Sequence, residues 1–202
     1  VMAERELREN QQWLKLVIDA TNLGIWDWNP LTDALMFNER CASMLGYTID
    51  ELPATCRGWA ALNHPDDQPE ALRQFRLHVV KGEIPRLHVE MRCRAKNGEW
   101  VWVLSAGRVI ERDAQGRALR AVGIHQDISQ LKKAEAALRE SEARLRTIVE
   151  HSPIGIFLCD AGGGVIFRNQ TFAAVHGTDC VDDYGDGWLR YVHPDDLACV
   201  QT

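Results

Sequence analysis

No stretch of this 202-residue sequence approaches the roughly 20 consecutive apolar residues needed to cross a bilayer. The first residues carry neither the charged nor the apolar region of a signal peptide. Positive charge is in deficit: 23 Lys and Arg stand against 29 Asp and Glu, for a net charge of −6. That balance argues against the clustered basic surface of a nucleic-acid binder. The six cysteines (Cys41, Cys56, Cys93, Cys159, Cys180 and Cys199) are scattered. No C-x-x-C pair or zinc spacing occurs, so they read as reduced structural thiols, and the expected localisation is cytoplasmic. What remains is ordinary: 46% hydrophobic and 26% charged residues, the composition of a globular protein.

The sequence repeats itself. Displaced by 131 positions, residues 10–47 lie over 141–178 without a gap, and Gly24-Ile25 falls on Gly155-Ile156, Asn38 on Asn169 and Ala42 on Ala173. At an offset of 129, Gly58-Trp59 falls on Gly187-Trp188, and His64-Pro65-Asp66-Asp67 on His193-Pro194-Asp195-Asp196. Solenoid periods run to roughly 50 residues at most, so this period marks a duplicated domain. The second copy stops before it is finished, and the chain is expected to be a piece of something longer.

The pattern of the first copy predicts an α+β domain with one antiparallel sheet and helices on one face. Residues 3–20 have helical periodicity, with Leu7, Leu14 and Val17-Ile18 in register. Two short strands, 24–29 and 34–37, flank turn chemistry. Asn38 is placed to cap a helix over 39–45, ended by Gly46. A helical region over 49–62 follows. His64-Pro65-Asp66-Asp67 reads as the start of a helix over 66–81, with the aspartates on its positive end. Strands over 86–94, 99–110 and 118–127 form a meander, with Asn97-Gly98 as a hairpin signal. Residues 128–150 are a polar helix with Leu131, Leu138 and Leu145 at heptad spacing and Ala134, Ser141 and Ile148 three positions on. This is either a helix packed on its own domain or a parallel coiled coil.

Residues 24–128 resemble a PAS domain. The resemblance rests on Gly24-Ile25-Trp26-Asp27-Trp28, Leu45-Gly46-Tyr47, Asp50-Glu51-Leu52-Pro53, His64-Pro65-Asp66-Asp67, Asn97-Gly98-Glu99-Trp100-Val101-Trp102-Val103, Val122-Gly123-Ile124 and Asp127-Ile128-Ser129. Their order and spacing carry it more than any one motif. Residues 151–202 resemble the first half of a second PAS domain. The resemblance implies a five-stranded antiparallel sheet with short helices on one face, a connecting helix and a partial second domain. The expected divisions are 1–23 as an N-terminal connector helix, 24–128, 129–150 as a signalling helix, and 151–202. Residues 3–20 align with 134–151 and are expected to be the output helix of an upstream module.

The family implies a sensor that holds a small molecule or a protein partner between sheet and helices. Its signal passes through helix 129–150 to a histidine kinase or a diguanylate cyclase or phosphodiesterase. No GGDEF string, nucleotide-binding glycine box or phosphoacceptor His-Glu helix is present, so no catalytic residue is assigned and any enzyme is expected outside this chain. A homodimer is the expected assembly, with no nucleic-acid partner. The expected pocket residues are Trp26, Trp28, Met36, His78, Met91, Trp102 and His125; the plainer reading is that they fill an ordinary core. The expected output residues are Asp127, Ile128, Leu131, Leu138 and Leu145.

No cofactor or metal is assigned, with a flavin- or haem-bound redox or gas sensor and a ligand-free interaction module as alternatives. Thr55-Cys56-Arg57-Gly58-Trp59 lacks the Asn, Phe, Leu and Gln of the flavin-adduct box of light-sensing relatives. His78 lies where haem-binding relatives place an iron ligand. Alternation on the last strand puts Ala121, Gly123 and His125 on one face, and His125 either offers the pocket a donor and an acceptor and titrates near neutral pH or, the plainer reading, hydrogen-bonds a core polar group.

Overall fold

The computed structural model describes residues 2–176, 187, 189 and 192–196. The side chains of residues 2–4, 7, 14, 19 and 176 are not described, so the contacts expected of Leu7 and Leu14 lie outside it, as do Gly177, Cys180, Trp188 and Cys199. The chain divides into two compact units, Val1–Lys133 and Ala134–Thr202.

Helix α1 (Met2–Thr21) opens the first unit. Strands β1 (Gly24–Asn29) and β2 (Ala34–Phe37) form a hairpin. Asn38 then starts helix α2 (Glu39–Ser43), because its carboxamide oxygen accepts the Cys41 N–H. The same side chain accepts the Ile25 N–H at 2.9 Å and donates to the Leu23 carbonyl at 3.1 Å. One residue therefore caps a helix and fixes the entry of β1.

The helical region expected over 49–62 is interrupted at Leu52-Pro53. A 3₁₀ turn (Ile49–Glu51) and helix α3 (Cys56–Ala60) replace it. The helix expected over 66–81 is also divided. His64–Asp67 is a turn, helix α4 spans Gln68–Phe75, and the chain widens into a π-helical turn over Arg76–Lys81 that Gly82 ends at φ 68°. Asp67 makes no capping bond. Its carboxylate instead accepts the backbone N–H of Arg92 at 2.8 Å and the guanidinium at 2.7 and 2.9 Å. The Arg92 guanidinium beside Asp67 holds this carboxyl below the usual aspartate range.

Strands β3 (Leu87–Arg94), β4 (Trp100–Arg112) and β5 (Ala118–Asp127) complete one antiparallel sheet in the order β2-β1-β5-β4-β3. Alternation on β3 buries Val89, Met91 and Cys93. Central strand β5 runs through buried Ile128 into helix α5 (Ser129–Glu150). Asp127 accepts the Ser129 N–H at 2.8 Å.

In the second unit, β6 (Phe157–Cys159) and β7 (Val165–Arg168) form a hairpin before helix α6 (Gln170–His176). Buried Asn169 accepts the N–H of Ile156 and of Phe172, and donates to the carbonyls of Val149 and Ile154. It thus repeats the role of Asn38, its partner in the duplication. Phe157 and Ile166 are exposed, and Phe172 is half-buried against Phe157. The His193–Asp196 turn repeats the His64–Asp67 turn, down to the Asp N–H directed at the His Nδ1.

Candidate functional site

A cavity of about 900 Å³ lies in the first unit between the sheet and the helices. One wall is the Trp26 indole, which lies over two glycines. Gly107 and Gly123 are opposite each other on β4 and β5. A Cβ on either would come within 2.4 Å of the Trp26 ring, so their absence of side chains is what lets the indole lie on the sheet. Trp26 Nε1 then donates to the Ile124 carbonyl at 3.1 Å. Trp28 packs on Phe75 of α4 at 5.2 Å and donates to Asp33. Val79, Val89, Met91 and Ala121 line the remainder with apolar surface.

One part of the wall is polar. His125 is 3% exposed and pairs in register with Ser105, which is 4% exposed. The imidazole stacks on Trp59 of α3 with centroids 4.3 Å apart. Its Nδ1 lies 3.8 Å from Cys41 Sγ, and the Cys41 thiol donates to the Ile25 carbonyl at 3.4 Å. A thiol proton given to Ile25 favours the tautomer in which Nδ1 carries the ring hydrogen and Nε2 is the acceptor. Burial drives the His125 pKa down to about 3, so the ring is neutral at neutral pH, contrary to the expectation that it titrates there. Trp59 Nε1 is the buried side-chain donor without a partner among the described residues.

His78 also faces the cavity, but both of its nitrogens are occupied. Nδ1 meets the Ile84 carbonyl at 2.7 Å and Nε2 accepts the Val109 N–H at 3.1 Å. The ring ties the π-helical turn to β4 and has no nitrogen to spare for iron. Cys56 lines the cavity as a protonated thiol, its pKa raised to about 11 by burial. Among the described residues no cluster of His, Cys, Asp or Glu could hold a metal ion.

Of the seven expected pocket residues, Trp26, Trp28, His78, Met91 and His125 line the cavity. Met36 does not: β2 is an edge strand, and Met36 is 68% exposed. Trp102 does not either, because on β4 it alternates with buried Val103 onto the opposite face. There it anchors the outgoing helix. Its carbonyl accepts the Ile128 N–H and its N–H donates to Ser129 Oγ. Arg92 and Lys132 each lie 5.4 Å from its ring, and Lys132 pairs with Glu90. Trp59, Ser105 and Phe75 were not expected at the site. The Gly-Trp pair shared by both copies marked Trp59, and alternation from Val103 reaches Ser105.

Residues 34–125 match the model of the PAS fold, and residues 143–202 match a PAS domain model. A sensory box histidine kinase/response regulator from Burkholderia thailandensis is 30% identical, with a TM-score of 0.58 over 66% of this chain and 98% of that one.

This chain belongs to the PAS domain family.

Protein y4lL of Sinorhizobium fredii is 33% identical over 87% of this chain and 21% of its own length. The sensor protein FixL of Bradyrhizobium diazoefficiens is 28% identical over 77% of this chain and 30% of its own. The PAS chain therefore spans a third or less of these relatives. Only PAS domains are matched within it. Among the described residues no helix is long and apolar enough to cross a membrane.

Proposed function

We propose that this chain is the sensory and dimerisation region of a cytoplasmic signalling protein, and that it has no catalytic activity of its own. The first PAS domain, 24–128, detects a small molecule in its cavity. Segment 1–23 connects it to what precedes, 129–150 carries the signal, and 151–202 is part of a second PAS domain. The observation that carries this reading is a continuous path: His125 lines the cavity, and three residues later Ile128, its N–H held by the Trp102 carbonyl, leads into α5. A ligand that favours one packing of β5 would shift the population of helix arrangements passed onward. The similarity to proteins named as sensors and as a histidine kinase supports an output domain of kinase or cyclic-dinucleotide type. Exposed Leu131, Leu138 and Leu145 on α5 support a homodimer through that helix.

Native mass spectrometry of the freshly purified chain, with analysis of a denatured extract, tests the sensing role. A bound small molecule that raises Tm when added back is the expected result. An empty protein whose Tm no small molecule alters would overturn ligand sensing in favour of an interaction module.

A further inference from the structure

The cavity has a chemical polarity that narrows what it accepts. Its charged lining residues are Asp33, Arg57 and Arg117. Asp33 already accepts the Trp28 indole N–H at 3.1 Å and the Arg57 backbone N–H at 3.4 Å. Arg117 is paired with Asp113 at 2.6 Å and is 72% exposed. The buried polar groups are of another kind: His125, His78, Ser105, Trp59 and Asn63, none a carboxylate, ammonium or guanidinium and all at most 7% exposed. None of them offers a counter-charge, so a carboxylate or ammonium brought to that part of the wall would be buried unpaired, which is strongly unfavourable.

Hydrogen-bonding capacity at this wall is unspent. Nδ1 of His125 is directed at Cys41, and no hydrogen bond engages Nε2 among the described residues. The Trp59 Nε1 donor is unpaired. Asn63 Oδ1 is engaged by the Cys93 thiol at 3.5 Å. Apart from these groups, Cys56, Gln68, His78, Ser105 and the three charged residues, the rest of the lining is aromatic or aliphatic, and exposed Leu31, Leu72 and Val80 carry the apolar surface out to solvent.

We infer that the ligand is an uncharged, largely apolar and aromatic molecule bearing a hydroxyl or N–H group that donates to His125 Nε2. The inference rests on the reading of the cavity as a small-molecule site and adds the class of ligand. The apolar body supplies most of the affinity through burial against Trp26, Trp28 and Phe75, and the single donor supplies selectivity. A buried acceptor left without a donor is costly, so an analogue lacking the donor is discriminated against by about tenfold.

Four fluorescent probes with one ring system separate these contributions: pyrene, hydroxypyrene, methoxypyrene and pyrene carboxylate, titrated into the whole chain at neutral pH. Hydroxypyrene is expected to bind about tenfold more tightly than pyrene or methoxypyrene, with the carboxylate weakest. In His125→Phe, pyrene should bind as before while the preference for hydroxypyrene falls to within about threefold. Trp59→Phe, which keeps the ring and loses the donor, should retain the preference for hydroxypyrene over methoxypyrene. Carboxylate binding equal to that of hydroxypyrene, or a preference that survives in His125→Phe, would overturn the inference. So would equal binding of the three neutral probes, a comparison on the unaltered chain that needs no variant to fold. If pyrene binds without any preference, the small-molecule reading of the cavity stands and only the ligand class falls. If no probe binds, both fall.

Discussion

His125 sits between two indoles, 4.3 Å from Trp59 and 6.0 Å from Trp26, and its neutrality has a measurable consequence. Its pKa falls from 6.5 to about 3 because burial penalises the charged ring. The unfolded chain therefore binds a proton that the folded chain refuses across that window. The stability that His125 contributes as a neutral ring is fully present above pH 6.5 and is lost as pH falls toward about 3. Within the window the slope approaches about 1.4 kcal/mol per pH unit. Urea unfolding of the wild type and of His125→Phe should give profiles that converge on acidification; parallel profiles would refute the assignment. A second residue-scale prediction concerns Gly123. A Cβ there would lie 2.2 Å from the Ala106 carbonyl oxygen and 2.4 Å from the Trp26 ring. Gly123→Ala should cost about 1–3 kcal/mol and disturb the near-UV circular dichroism of Trp26. That glycine was readable from the sequence only as part of Val122-Gly123-Ile124, because the need for it comes from an indole 97 positions earlier in the chain.

At the scale of elements, the two hairpin strands, the meander and the outgoing helix follow their sequence signals closely, since alternation and turn residues are local. The failures are tertiary. Trp102 has the composition of a cavity wall, but strand parity turns it to the opposite face, where cations cover it. Asp66 and Asp67 have the placement of helix-capping residues, but the reach from Asp67 to β3 is a long-range fact that spacing does not encode. The Asp67–Arg92 pair joins the turn before α4 to the strand that leads to Trp102. Because the folded carboxyl has a depressed pKa, its contribution is present above the usual aspartate range and is lost as pH falls through the folded value. Asp67→Asn should cost about 1–3 kcal/mol at neutral pH and much less in acid. Chemical denaturation at two pH values checks it, and an equal cost at both would remove the ion pair from the account.

For the whole molecule, the duplication was legible because Asn38 and Asn169 do the same work in both copies: each side-chain oxygen takes the N–H of the third residue on and of the residue 13 positions before. The assembly was less legible. Leu131, Leu138 and Leu145 are 53%, 61% and 59% exposed, so three large apolar side chains on one helix lie uncovered within a single chain. A dimer through this helix predicts that Leu138→Glu shifts sedimentation from dimer to monomer, with the thermal unfolding of the first PAS domain little altered. A wild-type monomer would remove the coiled coil.

The placement of the indoles makes the first PAS domain its own optical instrument. Trp26, Trp28 and Trp59 border the cavity, Trp102 lies under two cations, and Trp13 and Trp100 are exposed. A molecule entering the cavity changes the emission of the first three, whereas a movement of the outgoing helix is reported by Trp102. Replacing one group or the other with phenylalanine would give occupancy and transmission separate colours, so that the two events can be timed against each other in one chain.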